Sequence, residues 1–340
     1  MKMTFRWYGA KSDPIPLKYV KQIPGMTGLM GLLDKPAGVV WEEDEIKALV
    51  DEVHAAGLEF EVVESVNVHE DIKMGLPTRD EYIANYITSV RNLAKYGVKV
   101  IVYNFMPVFD WLRTDLAREI PEDGSNSLYF NEVDLGEMGP MEIVRRTAED
   151  SKGFTLPGWE PERLALLETT LKQYEGITPD MLRENYKYFL ERVCPVCEEV
   201  GVKLACHPDD PAWPIFGLPR IAHSQADYDI MVKLHDSPCN TLCLCSLFRF
   251  TDRSNFGVCI DNGRDCIIAH TILLADHMVY RNFCLAICSM SKHALAVNVT
   301  CSIYARNVCS AEIIRYNSSA VKLDTDCFKT DACSMSTATD

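Results

Sequence analysis

Polar side chains that could bind a metal ion or move protons follow four strand-like apolar runs. Run 58–63 is followed by Glu64 and His69, and run 98–105 contains Asn104 near its end. Run 202–206 is followed by His207, and run 241–245 ends at Cys245. A single His or Asp after a strand is more often a loop residue or a helix cap than a ligand. Four such endings in succession favour a site.

His207 and Cys245 are the strongest candidates for metal ligands among these residues. Imidazole and thiolate suit a divalent transition metal, and a cysteine at a strand end beside polar loops is a plausible thiolate ligand. The alternative for Cys245 is a buried apolar cysteine, as we expect for its neighbour Cys243. The Cys194-Pro-Val-Cys197 spacing is that of a redox or zinc motif. It lies inside a helical pattern without a partner pair, and we interpret it as structural.

The elements that must position these residues alternate between strand and helix. Apolar runs at 3–8, 27–33, 58–63, 98–105, 202–206 and 241–245 predict strands, and amphipathic patterns at 43–56, 79–96 and 179–200 predict helices. This alternation is typical of βαβ units with a parallel sheet. No GxGxxG follows the first strand and no GxxxxGK[ST] occurs, so dinucleotide and P-loop sites lose their main support.

We therefore predict an α/β fold of the TIM-type (β/α)8 barrel class for residues 1–246. Chemistry in such a barrel lies at the C-terminal ends of the strands, which is where the polar residues fall. Residues 106–178 would be an inserted loop or helical region, long enough to cover a site.

Composition limits the class of protein. The chain has 340 residues, of which 47% are hydrophobic and 24% charged, with a net charge of -15. The first two values argue against disorder, and the acidic balance argues against a nucleic-acid binder. The start MKMTFRWYG has no apolar run, and the apolar stretch 266–288 is interrupted by Asp276 and Arg281. We expect a cytoplasmic protein without a secretory signal or membrane span. The question of whether it forms a homo-oligomer stays open.

The composition changes near residue 246. Residues 247–340 contain no proline and one glutamate, Glu312, but eight of the 14 cysteines. Our preferred interpretation is that this tail is not native family sequence, for example because of a reading-frame shift. The alternative is a separate Cys-rich module that binds metal or a partner, although its spacings give no CxxC pair.

Long motifs in the first part of the chain resemble the mannonate dehydratases. They include FRWYG (5–9), IPGMTG (23–28), VESVNVHEDIK (63–73) and HPDDPAWPIFGLPRI (207–221), and the resemblance runs from residue 1 to about 246. It implies a barrel related to the xylose isomerases. It also implies a Mn²⁺- or Fe²⁺-dependent lyase that converts D-mannonate to 2-dehydro-3-deoxy-D-gluconate in hexuronate (glucuronate) degradation.

The resemblance also implies roles for individual residues. His207 would be a metal ligand, and Cys245 matches the family's cysteine ligand. The candidates for binding the substrate carboxylate and hydroxyls are Arg220, His69, Asn104 and Arg113. The family completes its metal shell with a downstream His and Asp, and its acid/base groups come from an Asp-His-Gly segment.

Those downstream motifs are not found after residue 246, and Asp276-His277 is followed by Met278. The catalytic acid and base therefore stay unassigned, and we expect an incomplete barrel, low stability and impaired activity. Two alternatives stay open. One is a sugar isomerase or epimerase on the same barrel, and the other is a non-catalytic remnant with a metal- or partner-binding tail.

Overall fold

The structure is a computed structural model that describes residues 2–110, 112–121, 124–136, 138–150, 167–212 and 214–243, with three short strands beyond them. Its strands are β1 (Met3–Arg6), β2 (Met26–Gly31), β3 (Glu59–Glu64), β4 (Val100–Tyr103), β5 (Asp115–Ile120), β6 (Ser125–Tyr129), β7 (Lys203–Cys206), β8 (Asn240–Cys243), β9 (Cys266–Ile267), β10 (Thr300–Ile303) and β11 (Glu312–Arg315). Its helices are α1 (Leu17–Val20), α2 (Glu43–Ala55), α3 (Glu70–Met74), α4 (Arg79–Lys95), α5 (Glu132–Gly136), α6 (Pro140–Asp150), α7 (Leu167–Gln173), α8 (Pro179–Val200) and α9 (Gln225–Leu234).

The main sheet is parallel and follows chain order. Its strands lie in the order β1-β2-β3-β4-β7-β8-β9, and each neighbouring pair is parallel. All six strands predicted from the sequence are present. This sequential winding, with helices between the strands, confirms the prediction of a TIM-type barrel. Within the described residues, β1 and β9 end the sheet and do not pair with each other.

Two faces of the sheet are packed differently. Outward residues of the strands join α2, α4, α8 and α9 in one large apolar core. The opposite face is the barrel interior, where Met30, Val102, Ala205 and Cys243 form a smaller buried cluster. Because strand side chains alternate between faces, this cluster identifies which residues further along each strand point into the barrel.

Helix α8 shows why the sequence predicts some elements so closely. The Oγ1 atom of Thr178 accepts a hydrogen bond of 3.2 Å from the backbone N–H of Met181, and Pro179 occupies the first turn. At the other end Gly201 has φ +72°, a left-handed conformation that glycine adopts without strain. These signals fix both ends of the helix. Cys194 and Cys197 are buried on its inner face.

The segment 106–178 folds partly as a β-hairpin. Strands β5 and β6 pair antiparallel, and α5, α6 and α7 follow them. The hairpin was not predicted from the sequence. A second apolar cluster joins the insertion, which follows β4, to the segments that follow β3 and β7. Its buried residues are Met74, Val108, Phe109, Leu112, Leu135, Ile143, Val144, Leu167, Tyr174, Ile215 and Leu218.

The chain divides into two compact units, and the sheet described above belongs to the larger one. In the smaller unit, Ile287–Asp340, strands β10 and β11 pair antiparallel. None of the described helices is long and apolar enough to cross a membrane.

Candidate active site

Three polar residues extend the interior face at the C-terminal ends of neighbouring strands. Glu64 pairs in register with Val102 of the interior cluster. Asn104 follows Val102 by two residues, and His207 follows Ala205 by two residues. The two-residue period of a strand therefore directs all three side chains towards the mouth of the barrel. This is the edge at which the sequence predicted a site.

The ring of His207 is held by backbone groups. The backbone N–H of His207 donates to the carbonyl of Tyr103 at 2.7 Å, and the Nδ1 atom of the ring lies 2.8 Å from the carbonyl oxygen of Pro208. Since a carbonyl can only accept, Nδ1 carries the proton and the lone pair is on Nε2. Metal-ligating histidines characteristically make a hydrogen bond of this kind, because it fixes the tautomer and orients the ring.

Asp209 folds the segment after His207 back on itself. Its Oδ2 atom accepts hydrogen bonds from the backbone N–H groups of Ile221 (2.8 Å) and Ala222 (2.6 Å). The N–H of Asp209 donates in turn to the carbonyl of Ala222 at 2.8 Å. The buried carboxylate thus closes a loop whose last residues include Arg220.

Arg220 is a buried cation with unfilled donors. Its side chain is 1% exposed, and its Nη2 atom donates to the carbonyl of Phe109 at 3.0 Å. Its Nε and Nη1 atoms have no hydrogen-bond partner in the part of the chain that the structure describes. Burial lowers the pKa of the guanidinium, and the charges of Asp209 and Asp210 oppose that shift. A buried donor without an acceptor is destabilising, so this group is suited to receive an anion.

Arg113 makes a bidentate ion pair with Asp210. Its Nη1 and Nη2 atoms lie 2.7 and 2.8 Å from the two carboxylate oxygens, and both side chains are 13% exposed. The pair joins the loop after β4 to the loop after β7. The guanidinium of Arg113 therefore positions the loop after β7. The contact of Arg113 with a substrate hydroxyl stays a prediction.

His69 lies in the segment after β3 and Asn104 directly follows β4, and both side chains stabilise local backbone. His69 precedes α3, and its Nδ1 atom accepts from the N–H of Asp71 at 3.1 Å. Its ring stacks on Tyr82 with centroids 3.6 Å apart. The Oδ1 atom of Asn104 accepts from the N–H of Met106 at 3.2 Å. Their predicted contacts with substrate also stay predictions.

An ion pair between the buried Lys73 and the partly buried Glu70 ties the insertion to the loops around the mouth. The Nζ atom of Lys73 donates to Glu70 Oε1 and to the carbonyl of Met106, both at 2.8 Å. Glu70 Oε2 accepts from the hydroxyl of Tyr174 at 2.6 Å and from the N–H of Val108 at 3.2 Å. Val108 has φ +58°, which is rare for a β-branched residue. These bonds hold it in that conformation.

The two predicted metal ligands cannot be compared directly, because Cys245 lies outside the described residues. The last residue of β8 is Cys243, which belongs to the interior cluster. Among the residues that the structure describes, no three or more His, Cys, Asp or Glu side chains are grouped as a metal site. The shared ion thus stays a prediction.

Sequence reasoning did not identify a second polar pair at the mouth, Arg6 and Glu64. The Nε atom of Arg6 lies 3.2 Å from Glu64 Oε2, although the two residues belong to β1 and β3. Alternation along each strand was the available signal. It becomes decisive only when the register of the sheet shows which face is the interior.

Comparison with known proteins gives consistent matches. A family model described as D-mannonate dehydratase (UxuA) matches residues 1–259. A mannonate dehydratase of Lachnoclostridium phytofermentans is 66% identical over 247 residues, which are 72% of this chain and 69% of that protein. One of Shouchella clausii is 53% identical over 247 residues, covering 72% and 68%.

One solved structure, that of mannonate dehydratase from Streptococcus suis serotype 2, matches with a TM-score of 0.62 and 42% identity. The match covers 72% of this chain and 64% of that one, so the chain spans less than two thirds of the solved relative's length. The resemblance predicted from the motifs is confirmed, and the family match continues past residue 246, where the composition changes.

Proposed function

Because the chain belongs to the D-mannonate dehydratase family, we propose that it removes water from D-mannonate and releases 2-dehydro-3-deoxy-D-gluconate. The chain would then be a lyase of glucuronate degradation in the cytoplasm. Beyond family membership, one observation carries the proposal: Arg220 is a fully buried guanidinium with two nitrogens that no described residue satisfies. A substrate carboxylate is an anion that can accept hydrogen bonds from these buried donors.

The family is metal-dependent, and we assign Mn²⁺ or Fe²⁺ to His207 and Cys245. The Nε2 lone pair of His207 fits the role of a ligand, because its Nδ1 proton is directed at the carbonyl of Pro208. Cys243 faces the barrel interior, and Cys245 follows it by two residues in the sequence. When bound, the ion supplies Lewis-acid stabilisation for negative charge that develops beside the substrate carboxylate.

The remaining candidates position the substrate and the loops around it. Arg220 binds the carboxylate, while His69 and Asn104 lie near the hydroxyls of the sugar chain. Arg113 acts through Asp210, which it holds in a two-pronged ion pair. The acid that protonates the departing C3 hydroxyl and the base that takes the C2 proton have no assigned residue in this chain.

The decisive experiment measures product and metal together. Purified chain with Mn²⁺ in excess should convert D-mannonate to a 2-keto-3-deoxy acid, identified by carbonyl derivatisation and by the loss of one water in mass. The substitution H207N should remove the activity and also lower the bound Mn²⁺ after gel filtration. The matched control is H54N, because His54 is exposed on α2; this variant should behave like the original chain.

Other outcomes separate the alternatives. A product of unchanged mass would indicate an isomerase or epimerase. Zinc that is lost on substituting the tail cysteines, together with no D-mannonate binding, would indicate a non-catalytic remnant. Either result would overturn the proposed dehydration.

A further inference from the structure

The Arg6–Glu64 pair lies on the interior face of the barrel near its mouth. Arg6 pairs in register with Met30, and Glu64 pairs with Val102, both of which belong to the interior cluster. The side chain of Arg6 is 8% exposed and that of Glu64 is 21% exposed. The ion pair is therefore largely withdrawn from water.

Stability alone does not explain a pair at this place. Strands β1 and β3 are already joined through β2 by parallel backbone hydrogen bonds. Removing two charges from water costs about as much free energy as their attraction returns, so apolar residues would stabilise the interior at least as well. The neighbouring interior positions Met30, Val62 and Val102 are indeed apolar.

The pair offers both kinds of hydrogen-bonding group to a ligand. In the described structure, Arg6 uses Nε towards Glu64 and Nη1 towards the carbonyl of Trp7 at 3.0 Å. A guanidinium has five N–H donors, and a carboxylate has about four acceptor sites. Donor capacity therefore remains on Arg6, and acceptor capacity remains on Glu64. The ring of Tyr8 lies 4.3 Å from Arg6 Cζ and covers one face of the guanidinium.

A donor beside an acceptor matches neighbouring hydroxyl groups, each of which can donate and accept. The pair is contributed by β1 and β3, whereas His207 follows β7, the fifth strand of the sheet. In an eight-stranded barrel the first and fifth strands face each other across the interior, and the third strand lies between them on the barrel wall. A sugar acid whose carboxylate end lies on the His207 side would extend its hydroxyl-bearing chain towards β1 and β3.

We propose that Arg6 and Glu64 are specificity-determining residues that bind hydroxyl groups of the sugar-acid chain remote from its carboxylate. This inference rests on the proposed function, because it takes the carboxylate end to lie on the His207 side. It adds a hydroxyl-recognition site to the carboxylate and metal groups assigned there.

The test compares two ligands that share one end. D-Mannonate carries the carboxylate, the α-hydroxyl and the remote hydroxyls, whereas glycolate carries only the first two. Affinities of both are measured by calorimetry and ligand-observed NMR with the full chain and Mn²⁺ in excess. E64Q keeps the shape of Glu64 without its charge, and R6K keeps the charge of Arg6 without its planar fork. The control is E199Q, which breaks an exposed ion pair with Arg91 on the outer helices.

We expect E64Q and R6K each to weaken D-mannonate binding about tenfold, with glycolate binding unchanged, and E199Q to change neither. Equal weakening of both ligands would mean that the pair only supports the fold, and unchanged D-mannonate binding would mean that it does not touch the substrate. Either result would overturn the inference but leave the proposed function intact. If the unsubstituted chain binds neither ligand, the proposed function itself fails. R6K decides the matter if E64Q does not fold, as judged by its circular dichroism spectrum.

Discussion

At the scale of single residues, Arg220 shows how burial and hydrogen-bond satisfaction together indicate a binding role. We predict that R220K lowers the affinity for D-mannonate by about 10- to 100-fold, because lysine keeps the charge but loses the fixed, planar array of N–H donors of the guanidinium. Calorimetric titration measures the effect. R91K is the control, since Arg91 makes a two-pronged pair on the surface. Unchanged affinity in a folded R220K protein would contradict the role.

His223 should make the stability of the protein depend on pH. Its Nδ1 atom lies 3.8 Å from Asp209 Oδ2 and 3.5 Å from Asp227 Oδ2. These carboxylates, Asp209 foremost, raise the pKa of His223 above its ordinary value, while burial and Arg183 oppose the shift. Because the pKa is raised on folding, the stabilisation is full below the unfolded value of about 6.5 and is lost as the pH rises through the folded value.

We therefore predict that the unfolding free energy of H223Q is lower than that of the original chain. The difference should be largest near about pH 6 and should shrink towards about pH 9. Urea unfolding at a series of pH values measures this difference. H54Q serves as the comparison at each pH. A difference that stays constant across the range, or grows with rising pH, would show that the proton on His223 does not stabilise the fold.

The sequence indicated some site residues and missed others for a physical reason. His207 follows a strand directly, and its residue type suggests chemistry without any knowledge of the fold. Arg6 was missed because its importance depends on Glu64, which is close only after β1 and β3 take their register with β2. Local periodicity assigns a face to each residue, but the pairing of distant strands decides which faces meet.

At the scale of elements, prediction succeeded where the ends carry their own signals. The predicted helix 179–200 agrees with α8 at both ends, because Thr178 caps it and Gly201 ends it. The strand predicted at 98–105 is longer than β4, Val100–Tyr103, because apolar residues continue into the loop and pack there. The hairpin of β5 and β6 was missed because DLAREI and SNSLY lack a sustained apolar alternation.

The docking of the insertion gives a prediction at this scale. Y174F removes the hydroxyl that donates to Glu70 at 2.6 Å and leaves a partly buried carboxylate oxygen with one donor fewer. We expect a loss of about 1–3 kcal/mol in unfolding free energy and faster proteolysis between residues 115 and 150. Urea unfolding and timed trypsin digestion measure the two effects. Y19F is the control, because Tyr19 is exposed, and equal behaviour of the two variants would contradict the docking role.

At the scale of the whole molecule, the change of composition near residue 246 bears on activity. The motif resemblance implies a metal shell that is completed further along the chain, and the Asp-His-Gly segment expected there is not found after residue 246. We predict that kcat/KM for D-mannonate is at least about 100-fold below that of the Lachnoclostridium phytofermentans relative, since the loss of even outer-shell metal contacts costs 10- to 100-fold. Parallel assays with Mn²⁺ in excess compare the two proteins, and equal rates would contradict the prediction.

The second apolar cluster has a consequence for how such an enzyme can change its substrate. The insertion after β4 shares that cluster with the segments after β3 and β7, so none of the three can be remodelled alone without leaving a void or a clash against the others. Substrate preference in this scaffold should therefore evolve through concerted exchanges among these segments. A library that randomises one loop at a time would sample mostly misfolded variants, whereas grafting all of them from one relative would carry over a matched set.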